Sequence, residues 1–186
     1  QRIVNEKNYV ERRDAISHDW SNLLEKIDFI PVFIPNSLSD TISFLESFGL
    51  SGMILSGGDN LGIHPDRDKT ELECLKFAIA KKVPLLGVCR GMQLINNFFG
   101  GSVVQNDNNK HVGNNHAIKI LDPNISSILR TDSIVVNSYH SNLITGDVLA
   151  SELTSVAIDE TDNSIECLLH EKYPILGVMW HPERNP

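Results

Sequence analysis

Lys82-Val-Pro-Leu-Leu-Gly-Val-Cys-Arg-Gly-Met-Gln-Leu-Ile-Asn-Asn97 is the stretch on which the rest of the chain is organised. Val83 to Val88 is a short apolar run, interrupted only by Pro84 near its start, which suits a buried parallel strand. Gly87-Val-Cys89-Arg-Gly91 then has the form Gly-x-nucleophile-x-Gly, and Met92 to Phe99 reads as an apolar helix ended by Gly100-Gly101. A nucleophile on a sharp strand-to-helix turn needs small neighbours, because its backbone is strained and close to both flanking elements. The first N–H groups of the helix point toward Cys89. This is expected to lower the thiol pKa from its free value of about 8.5.

A thiolate nucleophile needs a proton shuttle, and the far end of the chain supplies one. Tyr173 to Trp180 is strand-like and runs into His181-Pro182-Glu183. His181 is placed to act as general base and then as acid to a leaving amine. Glu183, two residues on, would fix its tautomer and stabilise the imidazolium. Pro182 stiffens the link between them.

Gly87-Val-Cys-Arg-Gly-Met-Gln93 followed much later by Trp180-His-Pro-Glu183 resembles the class I glutamine amidotransferase superfamily. Within it, the pattern looks most like the stand-alone γ-glutamyl hydrolase branch, peptidase family C26. The likeness runs from Ser56 to Glu183, and two separated motifs in the right order make it specific where a lone Gly-x-Cys-x-Gly would be weak. It implies one flavodoxin-like α/β domain over residues 1–186, with a mostly parallel central sheet, helices on both faces and a small antiparallel addition. It also implies Cys89, His181 and Glu183 as the catalytic residues of an amide hydrolysis that proceeds through a thioester and requires no cofactor.

The same resemblance assigns further residues. Ser56-Gly-Gly-Asp-Asn60 stands at the carboxyl end of an expected strand, where open α/β sheets bind ligands, and its two glycines admit close backbone approach. Taken alone, Gly57-Gly58 would be no more than a tight turn. By resemblance, the N–H of Gly58 is one oxyanion donor and the N–H of Arg90, the residue after the nucleophile, is the other. Gln93 is expected at the pocket mouth, in contact with the amino-acid end of a glutamyl group. The loop Asn137-Ser-Tyr-His-Ser141 is expected to line the γ-glutamyl pocket, which makes Ser138, Tyr139 and His140 substrate-binding candidates. His140 is not the expected base, since His181 carries its own carboxylate.

The 186 residues suit one domain with a sizeable core, and a 41% hydrophobic and 22% charged composition is that of an ordinary globular chain. A net charge of −8 argues against nucleic acid or an anionic membrane as a partner, while leaving room for a local cationic site. No run spans a bilayer, no signal-peptide pattern opens the chain, and three cysteines (Cys74, Cys89, Cys167) form no disulfide framework, so the cytoplasm is expected. The chain begins at Gln1 and stops just after the His-Pro-Glu motif, so a further edge strand or terminal helix is expected beyond it.

Taken in order, Ala15 to Ile27 has helical spacing, and Asp28 to Pro35 reads as a short strand bracketed by prolines. A helix capped by Ser39 or Asp40 leads to the strand Gly52 to Ser56, and a charged-start helix over 66–82 returns the chain to the elbow. Cys74 on that helix and Cys167 on a later strand read as structural. Gly101 to Gln105 reads as a strand and Asn106 to Asn115 as a polar surface loop. The loop holds His111, with His116 five residues on and no carboxylate cluster nearby in sequence, so no metal site is expected. Ile118 to Leu121 and Ser133 to Asn137 alternate as antiparallel strands, and Ser155 to Asp159 pairs with Ile165 to His170 as a hairpin.

Two functions compete within the resemblance: a hydrolase that frees glutamate from a small γ-glutamyl amide, and a glutaminase subunit that passes ammonia to a synthase. Arg90 is the residue usual in the hydrolase branch, which puts the hydrolase first. A synthase partner and a homo-oligomer both remain open. More narrowly, Arg12 to Trp20, Leu23-Leu24 and Phe29 to Asn36 resemble the hydrolases of γ-glutamyl-CDP-amidate in capsule phosphoramidate biosynthesis. The Arg12-Arg13 pair suits a diphosphate, although its spacing equally suits a solvated helix start. A relative that binds a ligand without turning it over is disfavoured, because all three catalytic positions are filled. A peptidase acting on polypeptide is disfavoured too, since no feature marks an extended peptide groove.

Overall fold

Short apolar runs become the strands of this fold, and the capped, mixed-polarity segments between them become its helices. The computed structural model describes residues 2–5, 7–106 and 110–184. Strands β1 (Arg2–Asn5) and β2 (Val10–Arg13) form an antiparallel hairpin of their own. Helix α1 (His18–Lys26) starts at Ser17, whose Oγ accepts from the Asp19 N–H at 3.3 Å, and it buries Trp20. Helix α2 (Thr41–Glu46) is capped by Asp40, which accepts from the Ser43 N–H at 2.9 Å. Strand β3 (Met53–Leu55) leads to α3 (Pro65–Lys81), which has proline at its start and ends on Lys82 in the left-handed region. Strand β4 (Leu85–Val88) and helix α4 (Arg90–Phe98) flank Cys89.

The remaining elements are β5 (Val104–Gln105), β6 (Val112–Ile120), α5 (Pro123–Leu129), β7 (Ser133–Tyr139), β8 (Asn142–Leu143), β9 (Leu153–Asp159), β10 (Ile165–His170) and β11 (Ile175–Val178). A single 3₁₀ turn, Pro182–Arg184, follows β11. Among the described residues, the main sheet has the order β3-β4-β11-β10-β9-β6-β7, and β5 pairs with β8 in a second small ribbon. Strands β3, β4 and β11 are parallel, and the others join antiparallel.

The α/β class holds, with helices on both faces, but the antiparallel share is larger than the small addition expected. Short links explain it. Residues 160–164 join β9 to β10 and residues 171–174 join β10 to β11, far fewer than the dozen or so that a parallel crossover needs.

Alternation along the strands sorts side chains into two cores. Met53, Leu55, Leu85, Ile175 and Leu168 face one side, under Leu45 of α2, Leu75 and Ala78 of α3, and Met92 and Ile95 of α4. Val88, Val178, Val156 and Val136 face the other, under Trp20 and Leu23 of α1 and Ile125 of α5. Helix α4 lies hard on the sheet: a β-carbon at Gly91 would stand 2.0 Å from the Leu55 carbonyl oxygen.

Three expectations change. Asp28 to Pro35 is not a strand. Pro31 and Pro35 lack N–H groups for a ladder, and Phe29, Ile30, Val32 and Phe33 remain exposed. The expected 106–115 surface loop gives way to β6 from Val112, with His111 buried, while 107–109 lie outside the described residues. Helix α2, for which the spacing from Ser39 or Asp40 predicts a helix through Phe48 stopped by Gly49, ends at Glu46. Among the described residues, no helix is long and apolar enough to cross a membrane.

Candidate active site

Strands β4 and β11 run parallel and in register, Val88 opposite Val178, so the residues that follow them emerge at one edge of the sheet. Cys89 comes directly after Val88, and its N–H donates to the Val178 carbonyl at 2.8 Å. His181 comes three residues after Val178. Residues separated by nearly half the chain thus leave the same edge of the sheet from neighbouring strands.

Cys89 has φ 51° and ψ −103°, a conformation that an L-residue adopts only under constraint. The constraint is the sharp turn from β4 into α4, which presents the Arg90 backbone N–H to the sulfur. Burial pushes the Cys89 thiol up to about 11, and the Arg90 N–H opposes that shift without cancelling it. The lowering expected from the helix N-terminus is therefore outweighed by desolvation in the free chain.

His181 and Glu183 are both buried, and His181 Nδ1 lies 2.6 Å from Glu183 Oε1. A carboxylate only accepts, so Nδ1 carries the proton and Nε2 presents its lone pair. Asn137 grips the His181 backbone at both ends: its Oδ1 accepts from the His181 N–H at 2.9 Å and its Nδ2 donates to the His181 carbonyl at 2.8 Å.

Gly57 and Gly58 sit under this imidazole and beside Arg67. A β-carbon at Gly57 would lie 2.5 Å from His181 Cε1, and one at Gly58 (φ 154°) would lie 2.2 Å from Arg67 Nη1. Arg67 Nη2 donates to the carbonyls of Ser56 at 2.8 Å and Gly57 at 3.0 Å, which fixes the loop. Arg67 Nε also donates to Glu71 at 2.8 Å; the other Glu71 oxygen takes Arg90 Nη1, and Arg90 Nη2 pairs with Asp68. A buried charge network therefore ties the Gly57-Gly58 loop to the residue after Cys89.

Sequence reasoning missed Arg67, Asp68, Glu71 and Asn137. The available signal was the i, i+4 spacing of Arg67 and Glu71, which usually marks a solvated helix face.

The other expected residues are placed as follows. Gln93 is buried rather than open at a pocket mouth; its Nε2 approaches Met179 Sδ at 3.8 Å and its Oε1 accepts from Asn142 Nδ2 at 3.3 Å. Asn142 Nδ2 also donates to Asn60 at 2.9 Å, so helix α4, the 57–60 loop and β8 are joined by one amide chain. Ser138 is buried with its hydroxyl donated to the His111 carbonyl at 2.8 Å. His140 is buried and turned to Glu166. Tyr139 alone of the three is open to solvent, edge-on to the His181 ring at 5.8 Å, with the Arg184 guanidinium 4.2 Å above its own ring. Arg12 is paired with Asp66 and Arg13 with Glu11, both on the exposed hairpin. Cys74 and Cys167 are buried, as their structural reading requires.

The peptidase C26 family model matches residues 1–183. The γ-glutamyl-CDP-amidate hydrolase of Campylobacter jejuni is 30% identical over all of this chain and 88% of its own length. The anthranilate synthase component 2 of Saccharolobus solfataricus is 25% identical, covering 94% of this chain and 88% of its own. A crystal structure described as a GMP synthase protein of Thermoplasma acidophilum superposes with a TM-score of 0.71 at 27% identity, over 89% of this chain and 78% of that one.

Proposed function

The chain belongs to the peptidase C26 family, and from that premise we propose that Cys89, His181 and Glu183 hydrolyse the γ-glutamyl amide bond of a small molecule to release glutamate. The observation that carries this reading is the 2.6 Å contact of His181 Nδ1 with Glu183, which leaves Nε2 free to work on the thiol of the strained Cys89.

A thiol with a pKa near 11 is protonated at neutral pH, so its proton moves to His181 Nε2 as the sulfur attacks the γ-carbonyl. Glu183 stabilises the imidazolium that results. The oxyanion is held by the Gly58 and Arg90 N–H groups, each worth about 2.7–4 kcal/mol of barrier. Collapse of the tetrahedral adduct breaks the C–N bond, and His181 returns the proton to the leaving nitrogen. Water then attacks the γ-glutamyl thioester with His181 as base, freeing glutamate and the Cys89 thiol. Residues 1–186 act in this as one hydrolase domain. Gln93 and Asn142 shape the glutamyl side of the pocket from within, and Tyr139 borders its open side. The three cysteines are unbridged, which suits the cytoplasm.

For the leaving group, the reading is γ-glutamyl-CDP-amidate, supported by the full-length likeness to the C. jejuni hydrolase of that compound. A second reading, a glutaminase subunit delivering ammonia to a synthase, is supported by the likeness to anthranilate synthase component 2.

Glutamate release by the purified chain from glutamine and from a panel of γ-glutamyl amides including γ-glutamyl-CDP-amidate separates them, with Cys89→Ala as blank. Fast release from one bulky amide and little from glutamine supports the stand-alone hydrolase. Silence on every amide, with glutamine turned over only in the presence of another protein, sinks it in favour of the ammonia-donating role.

A further inference from the structure

Three histidines and three carboxylates from distant parts of the chain meet beside the 137–142 loop. His111 precedes β6, His116 lies within it, His140 follows β7, and Asp159, Asp162 and Glu166 come from the β9–β10 hairpin. The His111 carbonyl accepts from the Ser138 hydroxyl at 2.8 Å and from the His140 N–H at 2.9 Å, so the cluster is built into that loop.

For neutral imidazoles, the partners set the tautomers. His140 Nδ1 lies 3.0 Å from the Asn142 carbonyl, which can only accept, so Nε2 carries a bare lone pair. His111 Nε2 lies 2.9 Å from the Asp162 carboxylate, so Nδ1 carries the bare lone pair. Both free nitrogens are buried without a hydrogen-bond partner. So are both oxygens of Glu166, a residue with no exposed surface. A histidine whose far nitrogen is held by a carboxylate or carbonyl while its near nitrogen is bare is the usual preparation of a metal ligand.

Distances agree. Donor atoms of His111, His140 and Glu166 lie within 4.8 Å of one another, as do those of His111, His116 and Asp159. His140 Nε2 is 3.5 Å from Glu166 Oε1, and His116 Nε2 is 3.5 Å from Glu166 Oε2. That is too long for a charge-assisted hydrogen bond of about 2.7–2.9 Å. Zinc bonds of about 2.0–2.2 Å at tetrahedral angles put neighbouring donors roughly 3.3–3.6 Å apart.

We propose that His111 Nδ1, His140 Nε2 and the Glu166 carboxylate, joined by His116, bind one divalent transition-metal ion, for which zinc is the best match. Mixed imidazole and carboxylate donors suit zinc over calcium or magnesium, which take oxygen. The ion would clamp β6, β10 and the 137–142 loop together, and so hold Asn137 and Tyr139 against His181.

The test titrates zinc into the Cys89→Ala chain, so that the nucleophile supplies no ligand, against a chromophoric chelator, with metal content checked by mass spectrometry. One equivalent is expected, with a higher Tm for the loaded chain. Asp162→Asn, which removes the carboxylate charge that holds the His111 Nε2 proton and makes the ring a stronger ligand, should weaken binding about 10–100-fold. His140→Gln and Glu166→Gln should weaken it at least as much. Cobalt in the Cys89→Ala chain should give tetrahedral d–d bands, a readout that stands even where a ligand variant fails to fold. Absence of stoichiometric zinc and of those bands overturns the site and leaves a purely ionic His–Glu cluster. Zinc uptake that Asp162→Asn leaves unchanged overturns it equally.

Discussion

The imidazole of His181 lies over Gly57 so closely that a single β-carbon there would stand 2.5 Å from Cε1. The ring is pinned from the other side by Glu183 and through its backbone by Asn137, so it has little room to yield. Gly57→Ala is therefore expected to cut glutamate release by about 100-fold or more, since displacements of about 1 Å near a reacting centre cost that much. A steady-state assay on the folded variant checks it. An unchanged kcat would mean that His181 needs no fixed position.

Glu183→Gln keeps the shape of the partner to His181 Nδ1 and removes its charge. The amide can also offer its NH₂ group to Nδ1, which favours the wrong tautomer. A fall in kcat of about 10²–10⁴-fold with a much smaller change in KM is expected, because in the proposed mechanism Glu183 acts on the charge that develops on His181 as it takes up the thiol proton. A variant that lost KM instead would place Glu183 in substrate binding.

Glu71 joins two guanidinium groups that are both largely buried, Arg67 of α3, which donates to the Ser56 and Gly57 carbonyls, and Arg90 beside Cys89. Replacing it with Gln leaves buried positive charge without its counter-ion, and destabilisation of about 3–5 kcal/mol is expected in urea unfolding. Turnover should fall as well, since both expected oxyanion donors belong to residues that the network holds. Stability within about 1 kcal/mol of the parent would show that Asp68 alone suffices.

Burial pushes the thiols of Cys74 and Cys167 up to about 12 and that of Cys89 up to about 11. In the unfolded chain they ionise near pH 8.5, as a rough reference value. The unfolded state thus loses its protons first as pH rises. Stability from these groups is complete below about pH 8.5 and declines toward pH 11–12, on the order of 1 kcal/mol per pH unit for each thiol. Unfolding midpoints measured between about pH 8 and pH 10.5 should fall, and Cys74→Ala should flatten the slope by roughly a third. A flat profile would show that these thiols are hydrated.

The local chemistry was legible in the chain. Gly87 to Gly91 forces a nucleophile into a tight turn whatever surrounds it, and His181-Pro-Glu183 places a carboxylate two residues from an imidazole. A continuous apolar run marked β4, alternation marked the ends of β6 and β7, and capping residues such as Asp40 marked helix starts. Phe29 to Pro35 misled because apolar residues between prolines resemble a strand, while the missing N–H groups deny it a ladder.

What the sequence by itself determined is which groups are candidates for the chemistry and which elements carry them, because turn strain, caps and strand periodicity act over a few residues. What only the tertiary structure decided is which distant groups share a low-dielectric space. Arg67 and Glu71 have the spacing of a solvated helix face until α3 packs against the elbow and Glu71 meets Arg90, and His111, His116 and the pocket candidate His140 stand apart in sequence until β6, β7 and β10 align around Glu166. The same burial reversed the expected lowering of the Cys89 pKa, since desolvation is a property of the packed whole and a helix N-terminus acts only locally.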